Sequence, residues 1–344
     1  MKAALKFVTL VGICLTALLA IPAGAAVPPT LSTEHLPLIA FGGLLVNKAS
    51  LDAAFLSIKT LFNNAFSKAE TVWPKIAMLV PSGTGQNIYA WLSKFPRMRK
   101  WVGDKHIKAL EAFKYTVVND DFEVTIEVDR NDIEDDTLGV YKPQAEMAGE
   151  SSAQLPDEIV FDLVNNGFTS TCFDGQFFFD TDHVVQGASV SNKGTAVLTI
   201  TTLAAAQASY GAYRTAMKKF KDDEGRPLNI KPNVLLVGPA LEDTANALMT
   251  NDRLEDGKPN PYKGTATVVC DGRITSDTAW FLLDTSKPVK PFIYQERKAP
   301  VFVNQIDPQA DGVFMRKKFL FGAEARAAGG YGFWQLAFGS TGTP

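Results

Sequence analysis

Cys172 and His183 are the residues of this chain best placed to support nucleophilic chemistry, in which an imidazole draws a proton from a thiol. They stand in TCFDGQFFFDTDHVV, residues 171–185. No GxSxG elbow or other catalytic frame surrounds Cys172, which therefore reads as a small buried hydrophobe. Asp180, Asp182 and His183 offer three metal ligands, but no distant histidine joins them, and the stretch reads as a polar loop with a turn at Asp174-Gly175. PSGTGQN at Pro81–Asn87 superficially resembles a phosphate loop. It lacks the Gly-Lys-Ser/Thr end that supplies the charge and the magnesium ligand, so a plain turn is expected. The acid pairs Asp135-Asp136 and Asp222-Asp223 sit in charge-rich, solvated stretches and do not indicate acid–base catalysis. The cysteines, Cys14, Cys172 and Cys270, form no CxxC pair, which argues against a structural zinc site.

A stronger signal is electrostatic. WLSKFPRMRKWVGDKHIK, residues 91–108, carries six Lys/Arg and one Asp, interleaved with Trp91, Phe95 and Trp101. Asp120–Asp136 follows with nine Asp/Glu and one Arg. A basic and an acidic element, adjacent in one chain, suit a head-to-tail contact with a copy of the same chain. The candidate interface residues are Trp91, Phe95, Arg97, Arg99, Lys100 and Trp101 on one side and Asp129, Asp132, Glu134, Asp135 and Asp136 on the other. A solvated face, or a nucleic-acid surface, are the alternatives. The whole chain shows no basic excess. It holds 34 Lys+Arg against 37 Asp+Glu among 344 residues, a net charge of −3, which disfavours a shape-blind nucleic-acid binder. With 46% hydrophobic and 21% charged residues it is globular rather than disordered or collagen-like.

The elements that would position these groups are of mixed type. Lys2, Lys6, the apolar run Phe7–Ile21 and Ala23-Gly24-Ala25 form a signal-peptide-like start, with a linker to residue 46. No later run of about 18 apolar residues offers a membrane span. Leu51, Phe55, Ile58, Phe62 and Phe66 predict a helix over Ala49–Ala69. Lys75–Pro81 predicts a strand. Residues 113–117 and 122–128 alternate around Asn119-Asp120-Asp121 and predict a hairpin. Pro143 opens a helix that Asn166-Gly167 ends, with Pro156 expected to kink or split it. A second long helix covers Leu203–Phe220, and a short one follows Pro239. Strands are expected at 234–237, 265–270, 279–283, 292–295, 314–321 and 332–338, with a glycine-rich break at Ala327–Gly330. The order is α+β, without a repeating βα unit or an internal repeat.

Several long stretches carry a resemblance: KIAMLVPS, YAWLSKFPRMRKWVGDKHI, FEVTIEVDRNDIEDDTLGVYKP, LPDEIVFDLVNNGF, CFDGQFFFDTDH, KDDEGRPLNIKPNVLLVGP and FLFGAEARAAGGYGFWQLAFG. From about Asn47 to Gly339 the chain resembles the phage Mu-like major head subunit, the gpT family of major capsid proteins. The resemblance implies the tailed-phage capsid fold shared with the herpesvirus capsid floor. Its parts would be an N-terminal arm at 47–72, a peripheral domain at 73–167, an axial domain at 168–283 and closing peripheral strands and tail at 284–344. The peripheral domain would hold an extended hairpin, the E-loop, at about 91–128 and a spine helix at about 143–165. The resemblance further implies an icosahedral shell of hexamers and pentamers around double-stranded DNA bound without sequence specificity. It implies scaffold, head-maturation protease and portal as partners, with no cofactor, no catalytic residue, no metal and no membrane. A virion protein assembled in the bacterial cytoplasm conflicts with a secretory start, so residues 1–46 read as a mis-called beginning. A secreted binding protein or hydrolase is the alternative that start supports, and a domesticated shell around protein cargo is a third reading.

Overall fold

Leu51, Phe55, Ile58 and Phe62 recur at three- and four-residue steps, and helix α1 (Lys48–Lys68) buries all four to 1–2% exposure. The structure is a computed structural model and describes residues 48–93, 115–134, 138–307 and 309–343. The signal-like start and most of the basic stretch lie outside the described residues.

Helix α1 packs on α4 (Lys142–Asn166), whose first half is lined with small buried residues: Ala145, Ala148, Gly149, Ser152 and Ala153. A Cβ on Gly149 would stand 2.4 Å from the Phe62 carbonyl oxygen, so the approach of the two helices requires glycine there. The second half of α4 presents Val160, Phe161 and Val164 to the main core. The helix runs through Pro156 without splitting. Beside that proline, Asp157 is 1% exposed and accepts the Val72 and Trp73 amides at 2.9 and 2.6 Å. It thereby caps the one-turn helix α2 (Trp73–Ile76) from a neighbouring element.

Two sheets organise the strands. The first runs β1 (Ala77–Pro81), β11 (Phe292–Gln305), β12 (Lys318–Tyr331), β4 (Asp120–Asp129), with β1 parallel to β11 and the other pairs antiparallel. Strand β4 alternates as its sequence predicts. Phe122, Val124, Ile126 and Val128 turn toward the core, and Asp121, Glu123, Thr125 and Glu127 are exposed. The second sheet runs β7 (Lys193–Gly194), β13 (Ala337–Ser340), β10 (Trp280–Leu283), β8 (Val234–Val237), β9 (Thr267–Cys270). Every residue of β8, β10 and β13 is buried, so β8 and β10 read as unbroken apolar runs without alternation, and β13 ends on Ser340, whose hydroxyl donates to the Ala196 carbonyl.

Three expectations are corrected. The hairpin around Asn119 does not form, because β3 (Thr116–Val118) pairs with β2 (Gln86–Ile88) while β4 pairs with β12. Asn119 is a buried corner between two sheets. Its amide nitrogen donates to Ser82 Oγ and Thr84 O at 3.0 and 2.9 Å, and its oxygen accepts Gln295 Nε2 at 2.7 Å. The glycine-rich Ala327–Gly330 lies inside β12 and breaks nothing. A Cβ on Gly329 would stand 2.9 Å from Ile159 and Leu163, so the bare backbone lets α4 lie against the sheet. Phe314–Arg316 belongs to helix α8 (Asp311–Arg316), ahead of the strand.

The remaining elements are α3 (Arg130–Glu134), the hairpin β5 (His183–Val185)–β6 (Ala188–Val190), α5 (Leu203–Ala206), α6 (Ala212–Lys219) and α7 (Glu242–Thr250). The β5–β6 turn places Gln186 and Gly187 at φ 52° and 79°, the two positive values of a tight primed turn. A π turn at Gln207–Gly211 joins α5 to α6, so the predicted long helix exists with a widened, underwound centre. A structural repeat also occurs that the sequence reading missed. Thr171–Phe177, Lys221–Pro227 and Arg253–Pro259 each close by a bridge between their first and seventh residues. In each, a positive-φ glycine (Gly175, Gly225, Gly257) donates its N–H to the carbonyl of the second residue at 2.9–3.1 Å.

Candidate functional site

The first of those turns brings Cys172 and Asp174 against His183, the opening residue of β5. His183 is fully buried. Its Nδ1 lies 2.7 Å from Asp174 Oδ2, and its ring stacks on Trp334 at 4.0 Å and 8°. Cys172 Sγ donates to Asp174 Oδ1 at 3.1 Å, and the Gln176 amide reaches the same oxygen at 3.1 Å. Asp174 therefore stands between thiol and imidazole and separates the pair that the sequence considers for nucleophilic chemistry. Burial pushes the Cys172 thiol far up, and the Asp174 charge adds to it, so no thiolate is available at neutral pH. Burial alone would also raise Asp174, but the bonds from His183 and Cys172 outweigh it and hold the carboxyl below its ordinary value.

Among the described residues these three alone form a His/Cys/Asp/Glu group close enough to share a metal ion. Asp180 and Asp182 do not join it. Asp180 accepts the Phe177 and Thr181 amides instead. The carboxylate already has donors on both oxygens, and His183 Nε2 is buried without a partner among the described residues. A metal on Nδ1 would force the ring proton onto Nε2 and leave a buried unmatched N–H donor there, so the geometry fits a hydrogen-bonded structural cluster better than a metal centre.

The interface candidates divide. Trp91 lies in a 3₁₀ turn, half-buried against the chain's own core, with its ring on Phe333 at 5.9 Å and Tyr89 at 6.0 Å. Phe95, Arg97, Arg99, Lys100, Trp101, Asp135 and Asp136 lie outside the described residues, and Glu134 is the last residue of α3. Asp129 accepts the Asn131 amide at 2.9 Å, and Asp132 accepts the Tyr141 hydroxyl. That bond to a carboxylate raises the Tyr141 pKa. Other acids of the same stretch find bases far away in sequence. Asp121 pairs with Arg326 at 2.6 Å, Glu127 pairs with Lys318, and Glu324 beside them pairs with Lys298 at 3.0 Å. The Lys318 hydrogen bond holds Glu127 below its ordinary value. Sequence reasoning missed this ladder because strand register, absent from local charge counts, sets its partners.

The sequence pattern of the Mu-like prophage major head subunit gpT matches residues 51–204, 195–274 and 267–343. The major capsid protein of Escherichia phage Mu is 34% identical over 294 residues, covering 86% of this chain and 74% of that protein.

The chain belongs to the Mu-like gpT major head subunit family.

The gpT relative of Haemophilus influenzae, the Mu-like prophage FluMu major head subunit, is 32% identical over 285 residues, covering 83% of this chain and 71% of its own. Among solved structures, the procapsid of bacteriophage JBD30 superposes with a TM-score of 0.54 at 30% identity, over 86% of this chain and 76% of that one. The JBD30 capsid gives 0.51 at 27% identity, over 67% of this chain and all of that one. The chain thus has the tailed-phage capsid fold and is a structural capsid component. No helix among the described residues is long and apolar enough to cross a membrane.

Proposed function

We propose that many copies of this chain close into an icosahedral shell of hexamers and pentamers around double-stranded DNA. A scaffold, a head-maturation protease and a portal would act during assembly in the bacterial cytoplasm. The observation that carries this is the gpT family match from residue 51 to residue 343, on a chain with the capsid fold. The four-stranded sheet with α4 would be the peripheral domain and its spine, and α1 the arm. The five-stranded sheet would be the axial domain, rejoined by β13. Within that frame, Arg97, Arg99, Lys100 and the apolar Phe95 and Trp101 of one copy would meet Asp129, Asp132, Glu134, Asp135 and Asp136 of the next, with Trp91 anchoring the base of the basic arm in its own core. Electron microscopy of particles from an induced lysate, with assay of nuclease-protected DNA, tests the reading. Large shells holding DNA are expected. A soluble monomer would overturn it, and shells filled with protein would move it to a cargo compartment.

A further inference from the structure

Helix α8 sits in the connection between β11 and β12, beyond their last pair, Gln305–Leu320. Val313 fixes it from below. It is 4% exposed in a cluster with Leu51, Phe55, Ile58, Phe319 and Phe321. Lys317 closes the turn in the left-handed region at φ 53°, with its N–H on the Val313 carbonyl at 2.9 Å. On this anchored turn, Phe314 and Met315 are 76% and 78% exposed, the most exposed large hydrophobic residues among those described. A lone exposed apolar side chain needs no explanation. An aromatic ring and a methionine side by side on a fixed support have the chemistry of an interface anchor. Arg316 and Lys317 follow directly, both exposed.

A second surface complements the tip. Helices α1 and α4 leave a groove of about 690 Å³, with Leu61, Ala65, Pro143 and Met147 offering apolar contact and Glu146 and Glu150 along the α4 side. Lys68 stands at the α1 end. Met147 is 68% exposed there. The tip is apolar and basic, the groove apolar and mostly acidic, and both belong to one chain.

We propose that the Phe314–Met315 tip of one copy docks in the α1–α4 groove of a second copy, with Arg316 and Lys317 facing Glu146 and Glu150. The inference rests on the shell reading and names one of its contacts. Tip and groove are different surfaces, so the contact is heterologous and repeats from copy to copy, as a closed shell requires. Charge complementarity sets its register.

A cysteine pair tests it. Met147→Cys and Met315→Cys change two exposed side chains, and mild oxidation of assembled shells should give a ladder of covalent oligomers on a non-reducing gel. Either single variant should give none. Wild-type protein that forms no shells would overturn the shell reading and this inference with it. Shells without a ladder would overturn the docking alone. Should the double variant not assemble, charge reversal decides. Arg316→Glu with Lys317→Glu should cut shell yield about tenfold while circular dichroism stays unchanged. Adding Glu146→Lys and Glu150→Lys should restore the yield. Undiminished yield in the first variant, or no recovery in the second, would overturn the docking.

Discussion

At the scale of single residues, Asp174 and Tyr213 hold the loops around the five-stranded sheet together. Asp174 accepts from Cys172, His183 and Gln176, and the folded state keeps it ionised. A carboxyl depressed on folding contributes stability above its ordinary pKa and loses that contribution as pH falls through the depressed value. Wild-type stability should therefore fall on acidification over the lower carboxylate range. Asp174→Asn should cost about 1.5–3 kcal/mol at neutral pH and flatten that acid limb, read from urea midpoints between about pH 7 and pH 3. Tyr213 is half-buried, stacked on Phe338 at 4.3 Å and Trp280 at 5.1 Å, and its hydroxyl accepts the Ala196 amide at 2.8 Å. Tyr213→Ala should destabilise by about 3 kcal/mol and lower subunit solubility. Tyr213→Phe keeps the stack and should cost only about 1 kcal/mol. Equal losses in the two variants would show that the hydrogen bond, not the ring, carries the effect.

At the scale of elements, the α1–α4 crossing depends on one missing methyl group. In an isolated helix Gly149→Ala would gain about 1 kcal/mol. Here the new Cβ meets the Phe62 backbone at 2.4 Å, and overpacking of this kind costs about 1–3 kcal/mol. The expected sum is a destabilisation, with amide exchange accelerated first in α1. A variant more stable than wild type would show that α1 shifts freely. Helices α1 and α4 were legible because their apolar spacing is local. The partners of β3 and β4 were not. Alternating residues on both sides of Asn119 fit a hairpin equally well, and only Gln295 and Ser82, distant in sequence, turn that residue into a corner. The glycines of β12 misled for a related reason, since a glycine run reads as a break until a helix is seen lying on it.

At the scale of the whole molecule, charge decides what the fold presents to its copies. Part of the acidic stretch is spent within the subunit, where Asp121 and Glu127 face Arg326 and Lys318. Asp129 and Asp132 also accept bonds within the subunit, from the Asn131 amide and the Tyr141 hydroxyl, and the stretch from Asp129 to Asp136 is proposed to meet the basic stretch of a second copy in addition. Arg97→Glu, Arg99→Glu and Lys100→Glu together should leave the subunit folded by circular dichroism and block shell closure in sedimentation. High salt should weaken wild-type assembly intermediates, because exposed charges are screened beyond about 8–10 Å near physiological ionic strength. Full-size shells from the folded triple variant would transfer the role to apolar contacts.

The sequence by itself determined the mixed α+β class, the two helices, the buried strands from Val234 and Trp280, and the family. Each of these rests on local periodicity or on long ordered motifs. Tertiary structure alone decided that Asp174 separates Cys172 from His183, that Asn119 divides two sheets and that Trp91 faces its own core. It also set the register that brings Asp121 to Arg326. These follow from contacts between residues far apart in the chain, and no local spacing encodes which distant side chain will arrive.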